Sequence, residues 1–316
     1  MTDFFNFFVQ GISRGSVYAL VALGFVIIFK ATHILNFGQG ALMSWGAYFA
    51  YTFNGGVEGQ FVTFKPWTLM HLPWVVSLVI GMLIAAAIGV GIERFVLRRF
   101  RGRPPFTIIM ATFGIAIMSQ FLIDGIWGGD PMSFNEPIGL KSYKVFGVPI
   151  TLADIVTFCV AAAVTIGFLA FFKYSRLGTG MRATALDQEA ALAQGISTRQ
   201  IFALAWGISA ALACLAAVLI STGNGRTVNQ PEIALAAFAA FPAIILGGVD
   251  SIPGAIVGGL VIGISEQLMF GYQAKLSNWL GVELGTFHQV IPYVLMLAIL
   301  LVRPYGLFGE KDVRRV

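Results

Sequence analysis

An all-α bundle of membrane-spanning helices is the fold class this sequence predicts, and three observations predict it. Of its 316 residues, 57% are hydrophobic and only 11% charged, whereas a soluble domain carries roughly 25% charged residues. Apolar stretches near the ~20 residues that cross ~30 Å of hydrocarbon recur from end to end. The cations gather between alternate stretches rather than in one patch, a pattern of membrane topology and not of a nucleic-acid-binding surface. The net charge of +5 therefore implies no nucleic-acid partner.

Nine apolar segments are read at about 8–29, 37–53, 73–93, 105–127, 151–172, 200–221, 232–248, 252–270 and 288–303. The first follows Met1-Thr2-Asp3-Phe4-Phe5, which lacks the basic n-region of a cleaved signal peptide, so this segment is expected to stay. The second has 17 residues and includes Gly38, Gly40 and Gly46. A full crossing and a re-entrant or broken segment both fit it, since irregular backbone is tolerated at membrane depth only when buried in protein. The third and fourth are separated by a cluster of arginines. The fifth and sixth hold Cys159 and Cys214 inside apolar runs, the setting of packing residues rather than of a disulfide or a metal. Asp250 marks the turn between the seventh and eighth. The eighth carries glycines at 254, 258, 259 and 263, two small-xxx-small pairs that predict close helix packing. The ninth closes at Arg303.

Counting cations orients the bundle. Lys30, then Arg94, Arg98, Arg99, Arg101 and Arg103, then Lys173, Arg176, Arg182 and Arg199, then Arg303, Lys311, Arg314 and Arg315 make 14 of the 20 Lys and Arg. All fall on one face if every segment crosses. The positive-inside rule makes that face cytoplasmic, with the N-terminus outside and the C-terminus inside. Longer polar loops at 54–72, 128–150 and 271–287 go to the other face. No separate soluble domain is expected, so residues 1–316 read as one membrane domain with a cytoplasmic loop at about 175–199.

That loop is the most informative stretch. Thr184 with Asp187 has the spacing of a capping box, Gly195 supplies a left-handed stop, and Ser197 with Gln200 starts the next helix. A short surface helix of about ten residues is predicted. Asp187, Gln188 and Glu189 form a polar side and Leu186, Ala190 and Ala193 an apolar stripe. So short an amphipathic helix is marginal alone and needs a surface to dock on. Lipid headgroups would favour basic residues on the polar face, and acidic ones are found.

Glu189-Ala190-Ala191 followed by Gly195 resembles the coupling loop of ABC-transporter permeases. Three blocks together resemble the permease family of branched-chain amino acid ABC importers. The first is Gly15-Ser16-Val17-Tyr18 through Gly24, with Ile34-Leu35-Asn36-Phe37 and Gly46-Ala47-Tyr48. The second runs from Gly178 through Met181-Arg182-Ala183 to Ile196. The third runs from Ala243 to Val249 and on through Ile252-Pro253-Gly254 to Gly259. The likeness spans nearly the whole chain with the blocks in family order. It implies the first, shorter permease of a heterodimeric pair, two cytoplasmic ATP-binding subunits and an external solute-binding protein. Arg182, Leu186, Asp187, Glu189, Ala190, Ala191 and Gly195 are then the residues expected to couple to the ATPase. One departure concerns the solute. After Asn36-Phe37 the family usually has Ala-His-Gly-Glu, and this chain has Gly38-Gln39-Gly40-Ala41.

Asn36, Gln39 and Ser44 are the candidates to line a solute path, offering polar groups among glycines. The same residues could instead tie neighbouring helices together, and the sequence leaves both open. Arg14, Asp124, Asp154, Glu232, Glu266 and His288 are placed near segment ends, where long side chains reach the interface. With no carboxylate evident at mid-membrane, an ion-coupled carrier is disfavoured. Gly178-x-Gly180-x-x-Ala183 lacks the strand that gives a dinucleotide fingerprint its meaning, and no P-loop sequence occurs. No metal site, cofactor or catalytic set is predicted. The expectation is an inner-membrane permease for a small polar solute, branched-chain or related amino acids first. Urea, short amides, carboxylates or sugars on the same architecture, and an ion-coupled carrier, are the alternatives.

Overall fold

A computed structural model describes residues 2–55, 71–100, 102–135, 141–145, 148–223 and 226–309. Arg101, Lys311, Arg314 and Arg315, and most of the 54–72 loop, lie outside the described residues.

The chain is nearly all helical, and each of the nine apolar segments forms a helix. In order these are α1 (Thr2–Thr32), α2 (Gln39–Asn54), α3 (Trp74–Gly91), α4 (Pro105–Trp127), α5 (Leu152–Tyr174), then α8 (Thr198–Ile220), α9 (Gln230–Gly247), α10 (Ile252–Leu280) and α11 (Ile291–Val302). Between α5 and α8 lie α6 (Arg176–Leu186) and α7 (Gln188–Ala193). A π-helical turn at Ile92–Val96 and a 3-10 turn at Leu97–Phe100 prolong α3. Among the described residues, seven helices are long and apolar enough to cross a membrane. The sequence did not predict the hairpin of β1 (Ser142–Val145) and β2 (Val148–Thr151), which is antiparallel and leads into α5.

The core is built on α1, which is buried over 83% of its most apolar window, and α8, buried over 72%; α3, α4 and α5 are buried over only 22–28%. Their outward residues, such as Leu83, Phe121 and Ile166, form the apolar surface that a bilayer covers. The four glycines of α10 split into two seams. A Cβ on Gly254 or Gly258 would overlap the backbone of Gly247 or Ala243 on α9, and one on Gly259 or Gly263 that of Ala19 or Gly15 on α1. Each small-xxx-small pair thus serves a different neighbour, which lets the backbones approach without side chains between them.

The short second segment forms one continuous helix, Gln39–Asn54, that begins inside the bundle. His33 takes a left-handed φ of 55° and ends α1. Residues 33–38 then turn back into the bundle instead of staying at its surface. The Phe37 amide donates to Thr112 Oγ1, seven residues into α4, and Gln39 packs on Gly24, eight residues before the end of α1. At 1.5 Å per residue, α2 therefore begins roughly 10 Å inside the bundle. Its 16 residues suffice to reach the far end, where Asn54 Nδ2 donates to the Leu72 and Asn135 carbonyls. Phe37 fills the turn, stacked at 4.4 Å on Phe113 and 4.9 Å on Phe241.

Candidate functional site

Three places carry polar groups that the packing of an apolar bundle does not require. The first is the α6–α7 surface. Ser175 Oγ accepts from the Gly178 amide and starts α6. Gly178 and Gly180 lie within that helix, where a side chain at Gly178 would meet the Phe172 carbonyl and one at Gly180 would crowd the Ile201 side chain. Asp187 is extended, and its Oδ1 accepts from the amides of Glu189 at 2.8 Å and Ala190 at 3.0 Å. The expected capping box is thus corrected: Asp187 itself caps α7, and Thr184 is buried within α6. Two short helices replace the single ten-residue one, since the Asp187 carboxylate offers amides a partner that the α-helix does not. Ser197 precedes α8 without a side-chain cap bond. Gly195 takes the left-handed stop at φ 80°.

These turns sort the candidate residues. Leu186 is 89% exposed and Leu192 54%, alongside exposed Asp187, Glu189, Ala190 and Gly195. Ala191 points inward at 3%. Arg182 folds back, donating to the Phe172 carbonyl and, at 3.1 Å, to Thr179 Oγ1. It secures the α5–α6 corner, while the other side chains form the outer surface.

The second place is the break before α2. Asn36 and Gln39 are 1% and 0% exposed, and Ser44 is 1%. Asn36 Oδ1 accepts from the Gly38 amide at 2.9 Å, and Asn36 Nδ2 donates to Gln39 Oε1 at 3.2 Å. Ser209 Oγ on α8 donates to the same oxygen. Gln39 Nε2 has no partner among the described residues. The amides therefore satisfy non-helical backbone and link α2 to α8. Ser44 lies one helical turn or so further along α2, also inside the bundle.

The third place was missed by the sequence reading. Glu266 is not near a helix end: it sits 14 residues into the 29-residue α10 and is 3% exposed. Tyr18 donates to its Oε2 at 2.6 Å, Arg14 Nη2 lies 3.2 Å from Oε1, and Arg14 Nε donates to Tyr18 Oη at 3.0 Å. This closed triangle bridges α1 and α10. Asp154 is likewise buried and bonded to Arg226 at 2.9 Å and to Thr151 and Ser13. The misplacement followed from ending the eighth segment at 270, ten residues short of the observed helix end. Buried carboxylates thus exist, and their supposed scarcity no longer argues against ion coupling. The Arg14–Glu266 pair lines a cavity of about 350 Å³ between α1, α9, α10 and the start of α11.

The chain is thus a multi-pass helical membrane protein with a polar cavity and a folded surface loop. The sequence profile of the branched-chain amino acid transport system / permease component family matches residues 7–300. The high-affinity branched-chain amino acid transport system permease protein LivH of Escherichia coli (strain K12) is 31% identical over 325 residues, covering 100% of both chains. BraD of Pseudomonas aeruginosa, with the same description, is 31% identical over 98% of this chain and 96% of its own. LivM of Escherichia coli (strain K12) is 24% identical over 94% of this chain and 70% of its own. The chain belongs to the branched-chain amino acid transport permease family.

Proposed function

We propose that the chain is one of two unlike permease subunits of an ATP-driven importer in a bacterial inner membrane, carrying branched-chain or related amino acids inward, with its C-terminus in the cytoplasm. The observation that carries this reading is the full-length 31% identity to permease proteins of high-affinity branched-chain amino acid systems. The partners are a second permease, two cytoplasmic ATP-binding subunits and an external solute-binding protein, within membrane lipid. This sequence holds no P-loop, which leaves another subunit or an ion gradient as the energy source, and in this reading it is the ATP-binding subunits. Residues 1–316 act as a single permease domain. Leu186, Asp187, Glu189, Ala190 and Gly195 meet the ATP-binding subunit; Arg182 and Ala191 hold their loop in shape. Asn36, Gln39 and Ser44 line the route where α1 gives way to α2. ATP binding draws the coupling helices together and rearranges the bundle, and hydrolysis resets it.

The neutral Gly38-Gln39-Gly40-Ala41 after Asn36-Phe37 favours, as a second reading, a related solute on the same architecture. Co-purification of the tagged chain from native membranes in mild detergent tests the assembly. An ATP-binding subunit and a second permease in the eluate are expected. The chain alone, from a preparation that still transports, would overturn the assembly and favour an ion-coupled carrier.

A further inference from the structure

The cavity at the Arg14–Glu266 pair has a wall divided by chemistry. Val17, Ile220, Ile233, Ala236, Ala239 and Phe270 give an apolar lining, and Arg14 and Glu232 stand among them as opposite charges. We propose that this cavity is a binding site for a small zwitterion with an apolar side chain, its carboxylate taken by Arg14 and its ammonium by Glu232. The inference rests on the permease reading and adds a place and a set of residues to it.

Four observations support the assignment. The volume of about 350 Å³ lies at the small end of the ~300–1,000 Å³ range of ligand pockets. Arg14 is committed to Tyr18 through Nε and to Glu266 through Nη2; a guanidinium carries five N–H donors, so others remain to meet a carboxylate. Glu232, on the exposed first turn of α9, makes no hydrogen bond or close ion pair among the described residues. Thr157 and Ser221, each 2% exposed, line the same cavity, and their hydroxyls find no partner among the described residues. Buried polar groups left unpaired are costly, and a polar ligand would satisfy them.

Charge balance selects the ligand. The lining holds Arg14 and Arg226 against Glu232 and Glu266, with Arg226 further tied to Asp154. A lone anion would face Glu232 uncompensated, and a lone cation would face Arg14. A zwitterion adds no net charge and offers each pole a partner.

The test uses the whole complex in lipid nanodiscs without the solute-binding protein, so that only the membrane site is read. The probe is tritiated leucine, competed by leucinamide, which lacks the carboxylate, and by N-acetylleucine, which lacks the ammonium. Leucine is expected to bind, with both derivatives about tenfold weaker or more, the worth of one charge-assisted hydrogen bond. Glu232→Gln is expected to weaken leucine about tenfold while leaving N-acetylleucine unchanged. A merely misfolded variant would lose both. Ser221→Ala, a smaller change on a different helix, is expected to weaken leucine a few-fold and carries the test if Glu232→Gln does not assemble. Equal leucine binding by wild type and both variants overturns the proposal, as does no binding by a wild-type complex that drives ATP-dependent leucine uptake with its binding protein present. In the latter case the permease reading stands. A wild-type complex without ATP-dependent uptake of any amino acid overturns that reading instead.

Discussion

Ser209 on α8 donates its hydroxyl to Gln39 Oε1 at 3.2 Å across 170 positions of sequence, and the same oxygen accepts from Asn36 Nδ2. One amide oxygen thus ties the start of α2 to α8 at the point where the backbone is not helical.

Asn36→Leu removes the acceptor of the Gly38 amide and one donor to Gln39. Leaving buried polar groups unpaired costs roughly 1–3 kcal/mol each. The complex is expected to assemble at near-normal yield while transport falls several-fold, because the change acts on the break itself. Uptake in proteoliposomes set against recovery of the complex measures it. Equal loss of both would make Asn36 a purely structural residue.

At the α1–α10 seam a Cβ on Gly15 would come within 2.8 Å of the Leu260 Cα. Gly15→Leu is expected to separate the helices and cost at least ~1–3 kcal/mol, the usual scale of overpacking. Gly114→Ala on α4 is the control, since nothing lies within 4 Å of its new methyl. It is expected to be neutral or to stabilise by up to ~1 kcal/mol through helix propensity. Thermal unfolding in detergent ranks the two.

Tyr18→Phe opens the triangle with Arg14 and Glu266 by removing the hydroxyl that bonds both. A loss of roughly 1–3 kcal/mol is expected, with Glu266 left short of a buried donor. Glu266→Gln should cost more, because Arg14 then loses its counter-charge in a poorly hydrated setting. A smaller effect for Glu266→Gln than for Tyr18→Phe in the same unfolding assay would show that the Arg14–Glu266 charge pairing contributes little to stability.

On the α6–α7 surface, Glu189→Lys reverses an exposed charge without touching the Asp187 cap. Membrane insertion is expected to be normal and recovery of the ATP-binding subunits about tenfold lower. Asp187→Ala instead removes the cap, at about 1 kcal/mol. It should weaken the same association less, and protease sensitivity of the loop should rise. Unchanged recovery for Glu189→Lys would remove the coupling role.

Much of the fold was legible because a bilayer imposes a simple rule on sequence. All nine apolar segments became helices, and the two glycine pairs of α10 became the predicted packing seams. The errors were local or angular. The loop expected at 175–187 is largely helical, and α6 holds Gly178 where a side chain would meet the Phe172 carbonyl and Gly180 where one would crowd the Ile201 side chain. The capping box was misassigned by three residues because Thr184 and Asp187 are both good caps, and only burial of Thr184 chooses between them.

Composition and spacing alone determined that this chain is a helical membrane protein and roughly where its helices run, and three sequence blocks carried its family resemblance. Hydrocarbon thickness and backbone hydrogen bonding leave few other solutions. The tertiary structure decided what the polar residues do. Asn36 bonds the Gly38 amide and Gln39 at the start of α2 and Arg182 bonds at the α5–α6 corner, while Glu266 meets Tyr18 across 248 residues and pairs with Arg14. Such roles depend on which helix faces meet, and that is set by packing between segments far apart in sequence, which no local pattern encodes.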